Sequence, residues 1–515
     1  MPEYVLIDCN RIQAYVFASN RLKQICNASM LLADIEENII PKIAEKNNVE
    51  IIRSGGGLTI AKFEGNNKNN AQKFLIESEK IFREYGIEVT IIKHTTKNEP
   101  VNFFDEVIHP SIKKLNKKKT QLKSPMLSIS SILAVPCEES GIGSSEGIIK
   151  LPDKKYRRCN LTEKGKNDFF KKLKKEYTEI EKELIETHKD YKIPRDFGGI
   201  VNWTTTGDNI QKDCGTSESM LLGIIYADIN GLGTKTKDIA DTEINYADFC
   251  FFLKERINTV VRDSLKNVIK NAIKKKREAL PIRILYIGGD DLAIAVQGAL
   301  ALDVAKELLH RIKVESEELM TELGIKKVQN LTMSAGVVIA SYKYPILAFN
   351  QLGHELEQRA KIHSRNNKNS GYIDFCIIKN NAIGKLQEIR KSKIIRDDNN
   401  NIDFLLYGGP YLPEDIDNLN KAAILLGKNF LNSKLKELQN IFYQKKFKAE
   451  VDYEIWKKHL TDEQEKNFKE VLNLLKLPDS DKLPLIKKDH MNYDSTLLID
   501  AIEMIGLIKV GENNE

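Results

Sequence analysis

Ile284-Leu-Tyr-Ile-Gly-Gly-Asp-Asp-Leu-Ala-Ile-Ala-Val296 sets two apolar runs, each short enough for a buried strand, on either side of Gly288, Gly289, Asp290 and Asp291. The pattern predicts a hairpin with a glycine-permitted turn and two carboxylates at its tip. Glycine allows positive φ there and leaves room for a bulky polyanion beside the acids. Adjacent ionised aspartates repel each other, and a hard divalent cation with oxygen ligands relieves that repulsion, so the tip suits a metal-bound nucleoside triphosphate. Gly-Gly-Asp-Asp is also ordinary turn composition, and these four residues alone leave both readings open.

Met220-Leu-Leu-Gly-Ile-Ile-Tyr-Ala-Asp-Ile-Asn-Gly-Leu-Gly233 adds a second apolar strand, which delivers Asp228 at its end, before a loop holding Asn230, Gly231 and Gly233. In a palm-type sheet, a strand ending in Asp lies beside a hairpin tipped with Asp, and such a pair holds two metals about 3.5–4 Å apart for in-line displacement at phosphorus.

The order of elements around this core occurs twice. Residues 220–340 read as strand, helix, acidic hairpin, helix, strand. Residues 1–95 run the same way: the strand Tyr4–Asp8, a helical segment through Ile40, the hairpin Ile51–Phe63, a helix over Ala71–Tyr85 and the strand Ile87–Ile92. Set without gaps, Ser54–Ala61 lies over Gly288–Ala295, so Gly56 and Gly57 fall on Asp290 and Asp291. The first copy keeps Asp8 but has lost its hairpin carboxylates. It is expected to be structural or to hold substrate, with Gly55, Gly56 and Gly57 letting a nucleotide approach. Two unrelated modules of coincidental order are the alternative.

The fold expected is α+β, with two ferredoxin-like palm domains forming a pseudo-dimer, a helical insert and an α-helical C-terminal domain. The boundaries are 1–95 for the degenerate first palm, 96–219 for an irregular, partly helical linker domain, 220–380 for the catalytic second palm and 395–515 for the helical domain, after a polar linker at 397–401. Lys113-Lys-Leu-Asn-Lys-Lys-Lys119 and the lysines near 171–182 could meet nucleic-acid phosphates or form a solvated face. Arg365-Asn-Asn-Lys-Asn-Ser-Gly371 is a basic loop suited to a triphosphate, or an exposed helix end.

A chain of 515 residues with 41% hydrophobic content supports several ordinary cores. Its 79 basic and 73 acidic residues, a formal charge of +6, are too balanced to argue nucleic-acid binding. Seven scattered cysteines without a Cys-x-x-Cys pair speak against both a zinc ribbon and a disulfide framework. The N-terminus has no signal-peptide pattern, and no run approaches 18 apolar residues, so the expected location is cytoplasmic and no membrane partner is expected.

The strand-Asp with Asn230-Gly-Leu-Gly233, the Gly-Gly-Asp-Asp hairpin, Ser334-Ala-Gly-Val-Val338 and Ala360-Lys361 occur in an order that resembles the second palm of the large polymerase/cyclase-like subunit of type III CRISPR effectors. Ile12-Gln13, Leu22 and Ala28-Ser29 are similar to that family's first palm, whose hairpin is typically degenerate. Gly409-Pro-Tyr411, Ser433-Lys-Leu435 and Tyr493-Asp-Ser-Thr-Leu-Leu498 are similar to its helical C-terminal region. The chain departs from the family in three ways. It starts at the first palm, so no His-Asp nuclease domain is expected. Cys137 and Cys159 stand alone where paired zinc ligands are common, so no zinc is expected. Ile229 replaces the glycine usual after the strand aspartate. The compact form also resembles free-standing relatives.

The resemblance implies that ATP is joined 3′ to 5′ into cyclic oligoadenylate or a related messenger with release of pyrophosphate. Asp228, Asp290 and Asp291 would hold two Mg²⁺ or Mn²⁺ ions. Gly288, Gly289, Asn230, Gly231, Ser334, Lys361 and Arg365, with Gly55–Gly57 of the first copy, would bind nucleotide. The implied partners are ATP or another NTP, CRISPR RNA, target RNA and other effector subunits, or a second copy if the chain is free-standing. A silent scaffold and a GGDEF-like cyclase acting on GTP are the other readings.

Overall fold

A computed structural model describes residues 2–63, 68–121, 137–138, 147–150, 156–159, 161–173, 177–187, 191–201, 220–239, 241–272, 279–322, 330–366, 370–379, 383–487 and 493–512. In the first palm, β1 (Glu3–Cys9), β2 (Glu50–Gly55), β3 (Leu58–Phe63) and β4 (Val89–Thr95) form an antiparallel sheet of order β2-β3-β1-β4. The run Tyr4-Val-Leu-Ile is apolar throughout because both faces of β1 are covered. Val5 and Ile7 pack under the helices Leu22–Asp34 and Lys68–Glu84, while Tyr4 and Leu6 pack against Phe103 and Val107.

The segment between the palms contributes the short pair β5 (Gly147–Lys150) and β6 (Tyr156–Cys159), and the helix Glu179–Thr187. The second palm then repeats the first. β7 (Leu221–Ile229), β8 (Ile282–Gly288), β9 (Asp291–Gln297) and β10 (Met333–Ser341) stand in the order β8-β9-β7-β10, and β11 (Ile373–Ile378) adds in parallel to β10. The open edge of β8 is closed by the buried Glu181, whose Oε1 accepts the Ile284 N–H at 2.9 Å.

Register makes the repeat exact to the residue and corrects the gapless match. Each hairpin carries one bulge on its first strand, at Ile52 in β2 and Leu285 in β8. Gly55 pairs with Leu58 and Gly288 with Asp291. Gly56 therefore corresponds to Gly289, Gly57 to Asp290 and Leu58 to Asp291, one position away from the sequence alignment. Glycine runs carry no side-chain pattern to fix an alignment, so the bulges decide it.

The palms meet as a pseudo-dimer. On one face of the second sheet, Tyr226, Ala293 and Val338 pack with the helix Ile346–Asn366 and with Phe17, Leu22 and Ile25 of the first palm. The Phe17 and Tyr226 rings lie 6.0 Å apart across the junction. The opposite face packs under the long helices Glu243–Ala272 and Ala301–Glu322.

The C-terminal region differs from a purely helical, separate unit. Its helices Pro413–Asn429, Asn432–Phe442, Lys446–Lys458, Asp462–Leu474 and Leu498–Glu512 are joined by a small sheet of β12 (Ile394–Arg396), β13 (Ile402–Leu405), β14 (Ile486–Lys487) and β15 (Asp494–Ser495), in the order β12-β13-β15-β14. Strands of two to four residues are too short to show an alternating pattern. The polar stretch 397–401, read as a linker, is the β12–β13 turn, where Asp397 accepts the Asn401 N–H at 2.7 Å. Tyr411, Leu419, Leu426 and Trp456 share one core with Ile225 and Ile294 of the second palm. Among the described residues no helix is long and apolar enough to cross a membrane.

The motif Ser334–Val338 owes its glycine to packing. A Cβ on Gly336 would stand 2.2 Å from the Gly353 carbonyl and 2.5 Å from the Glu357 nitrogen, so the helix Ile346–Asn366 lies directly on β10. Gly336→Ala is expected to push that helix away and lower unfolding free energy by about 1–3 kcal/mol. Gly233→Ala, which meets nothing within 4 Å, is the matched control and should change stability by less than about 0.5 kcal/mol. Denaturant unfolding that shows no difference between the two would contradict this account.

Candidate functional site

The β8–β9 hairpin turns through Gly289 and Asp290, with Gly289 at φ +70°, the conformation that a glycine-first two-residue turn requires. Asp291 is then the first residue of β9 and sits directly opposite Asp228 on β7. Ser334 on β10 is opposite Asp228 on its other side. Three strands thus bring two carboxylates and a hydroxyl into one row, with Asp290 at the turn beside them. Asn230 is committed to the fold: its backbone N–H donates to Thr332 O at 2.7 Å and its Nδ2 to Thr332 Oγ1 at 3.0 Å. Gly231, at φ +63°, lets the chain turn after the strand.

The helix Ile346–Asn366 lays Glu357 and Lys361 along this row. Lys361 Nζ bonds to Asp228 Oδ2 and, at 2.8 Å, to Glu357 Oε1, and His354 Nδ1 lies 3.3 Å from Glu357 Oε2. Burial, and next the Arg365 guanidinium, pull the Lys361 ammonium down to about 8. Arg365 itself is exposed, one helical turn further on. Residues 367–369 of the basic loop lie outside the described residues.

Electrostatics mark the acidic row as unfavourable by itself. Burial pushes the Asp291 carboxyl up to about 7, with Glu357 and Asp290 adding to the rise and His354 and Gln13 opposing it. Asp290 is also raised by burial, against its own backbone hydrogen bond and the charge of Arg53. Two of the three relieving side chains, Gln13 and Arg53, come from the first palm, and His354 comes from the second. Gln13 Nε2 donates to Asp291 Oδ2 at 3.1 Å. Neither had a sequence signal for this role: Gln13 was visible only as part of a resembling motif, and Arg53 as one residue of a strand.

In kind, the donor set fits a hard divalent cation. Asp228 Oδ1 and Ser334 Oγ are buried without a hydrogen-bond partner, beside two further aspartates. In arrangement, no three Asp, Glu, His or Cys side chains among the described residues are drawn together as a metal holder. Lys361 holds the second oxygen of Asp228 in their place. Cys137 is buried, and Cys214 lies outside the described residues.

The first palm lacks the row. Leu58 stands opposite Asp8, and Asp8 is ion-paired with Lys119 from the helix His109–Gln121. Lys118 of the same basic run donates to Ile91 O at 2.8 Å, so this part of the run is spent inside the palm. Residues 174–176 of the other lysine-rich stretch lie outside the described residues. Gly56 and Gly57 have φ of +64° and +83°. The Gly57 N–H, expected to be available to a nucleotide, is already bonded to Glu36 Oε1 at 2.8 Å. Gly56 packs on Gly289: a Cβ on Gly56 would lie 3.2 Å from the Gly289 Cα.

A cavity of about 620 Å³ opens at this junction, lined by both glycine turns and by Glu36, Arg53, Phe251, Lys254 and Tyr286 among others. Its volume falls in the range that holds a nucleotide-sized ligand. Asp290 borders a smaller recess together with Arg53 and Gly289.

Residues 221–370 match the family described as Cas10/Cmr2, second palm domain. No curated protein matches the chain. Among solved structures, the chain is similar to a Csm1–Csm4 cassette in complex with cA4, at 14% identity and a TM-score of 0.52, over 99% of this chain and 70% of that one. The cassette in complex with cA3 gives 14% and 0.52 over 98% and 69%. The complex with pppApApA gives 15% and 0.51 over 99% and 69%. At these identities the likeness is one of fold.

Because the folded-state pKa of Asp291 is raised, the folded protein binds more protons than the unfolded chain between about pH 4 and pH 7. Metal-free stability should therefore fall as pH rises through that window. Asp291→Asn should raise the melting temperature at pH 8 by about 2 °C or more and leave it nearly unchanged at pH 4. Thermal scans of both proteins across this range check the sign. A loss of stability at pH 8 would show that the carboxylate is favourably held.

Proposed function

We propose that this chain, a Cas10-like palm subunit, joins ATP 3′ to 5′ into a cyclic oligoadenylate-type messenger and releases pyrophosphate. The observation that carries the proposal is the direct opposition of Asp228 and Asp291 on neighbouring strands, in one palm of a pair whose other palm has Asp8 opposite Leu58. Mg²⁺ or Mn²⁺ held by Asp228, Asp290 and Asp291 would lower the pKa of the attacking ribose 3′-hydroxyl and neutralise charge on the transferred phosphate and departing pyrophosphate. Gln13 fixes the Asp291 carboxylate from the opposite palm, and Ser334 Oγ adds an uncommitted polar atom beside Asp228. Lys361 and Arg365, one turn apart on the same helix, would supply positive charge to a triphosphate, Lys361 by releasing Asp228 and Glu357. The paired glycine turns contribute no side chains of their own to the cavity between the palms. Solved structures of similar fold in complex with cA4, cA3 and pppApApA support adenylate chemistry, and their cassettes with Csm4 support a role beside another effector subunit.

A silent scaffold is the second reading. It is favoured by the Lys361 bridge, which pairs with Asp228 Oδ2 and Glu357 Oε1 without any metal.

Incubating the purified chain with each NTP and Mn²⁺ or Mg²⁺, followed by mass spectrometry, separates these readings. ATP should give cyclic or linear oligoadenylate, and Asp228→Asn or Asp291→Asn should lower the rate at least about 100-fold while the protein stays folded. Products from GTP alone would replace ATP as substrate. No product from any NTP, with or without an effector partner and target RNA, would favour the scaffold.

A further inference from the structure

We propose that Arg53, a residue of the first palm, binds the polyphosphate of a nucleotide held at the second palm's acidic hairpin. The proposal rests on the nucleotide reading above and adds a residue from the opposite palm to it.

The bulge register puts Arg53 where the second palm has Tyr286. The two side chains behave differently. The Tyr286 hydroxyl turns onto its own strand, 3.5 Å from Gly288 O. Arg53 instead reaches the meeting point of the hairpins: its Nη2 is 3.3 Å from where a side chain on Gly56 would begin and 3.8 Å from that position on Gly289. A methyl group on Gly56 would crowd the guanidinium, and one on Gly289 would touch it.

Arg53 lines both the large cavity and the recess that holds Asp290. Its Nη1 donates to the Tyr246 hydroxyl at 3.1 Å, and among the described residues no carboxylate lies within ion-pair distance of it. The other cations of the cavity are committed to acids: Lys254 to Glu37 at 2.6 Å and Arg262 to Glu183 at 3.8 Å and Asp263 at 3.3 Å. A guanidinium has five N–H donors in a planar fork, and one neutral phenol satisfies few of them. The carboxylates of Asp290 and Glu36 act on Arg53 only through space, and a phosphate would match the fork with two parallel hydrogen bonds. Asp290 and Asp291 repel a bare anion, so the anion that fits beside them is one carrying its own divalent cation, as a nucleoside triphosphate does.

The test is the binding of a non-hydrolysable ATP analogue with Mg²⁺, by calorimetry, and of adenosine, by ligand-observed NMR, to the full chain and to Arg53→Met and Arg53→Lys. Arg53→Met should weaken the analogue tenfold or more and leave adenosine within about twofold. Arg53→Lys keeps the charge but not the fork and should fall between; it carries the test if the methionine variant does not fold. An unchanged analogue affinity, or an equal loss for analogue and adenosine, would overturn the assignment and make Arg53 a packing residue. If the unsubstituted chain binds neither ligand, the nucleotide reading falls first and this proposal with it.

Discussion

Two hairpins of one chain meet backbone to backbone at Gly56 and Gly289, and the geometry of the junction depends on that contact. With no Cβ on either side, the sheets approach until helices of one palm pack on strands of the other, as Phe17 does on Tyr226. The same closeness lets Gln13 and Arg53 reach across to the acidic turn. Side chains at these two positions would have to separate the palms, and the reach of both residues would be lost.

Within this near-symmetric frame the two palms treat buried charge in opposite ways. The first closes its site: Leu58 faces Asp8, Lys119 neutralises that carboxylate, and Glu36 takes the N–H of Gly57. The second leaves its site loaded, with three aspartates and Glu357 near one lysine, and with Asp228 Oδ1 and Ser334 Oγ unsatisfied. Unpaired buried polar atoms are costly in a low-dielectric interior. Lys361 tempers the excess charge.

Much of this was legible in the sequence because it rests on local pattern. The strand to Asp228, the Gly-Gly-Asp-Asp turn and the repeated order of elements follow from apolar runs and turn residues. What was not legible depends on tertiary contact. The one-residue shift between the hairpins is set by bulges at Ile52 and Leu285, which no alternation reveals. Lys361 was recognisable as a basic residue near the site, but its bond to Asp228 follows from the way Gly336 seats the helix on β10. Arg53 and Gln13 act from the other palm, a distance in sequence that local reasoning does not cross. The C-terminal strands are simply too short for periodicity to register.

The core shared by the second palm and the C-terminal helices bears on how the chain is made. Tyr411 exchanges two backbone hydrogen bonds of 2.8 Å with Ile373 at the edge of β11, and Leu419, Leu426 and Trp456 complete the apolar layer begun by Ile225 and Ile294. During synthesis the second palm emerges before the segment that covers it, and carries an open strand edge and an unfinished apolar face in the meantime. The first palm has its sheet strands together by Thr95, but its Phe17, Leu22 and Ile25 likewise wait for the second palm. An open strand edge and an uncovered apolar face are the features that favour misassembly, so the second palm depends on the arrival of the C-terminal segment.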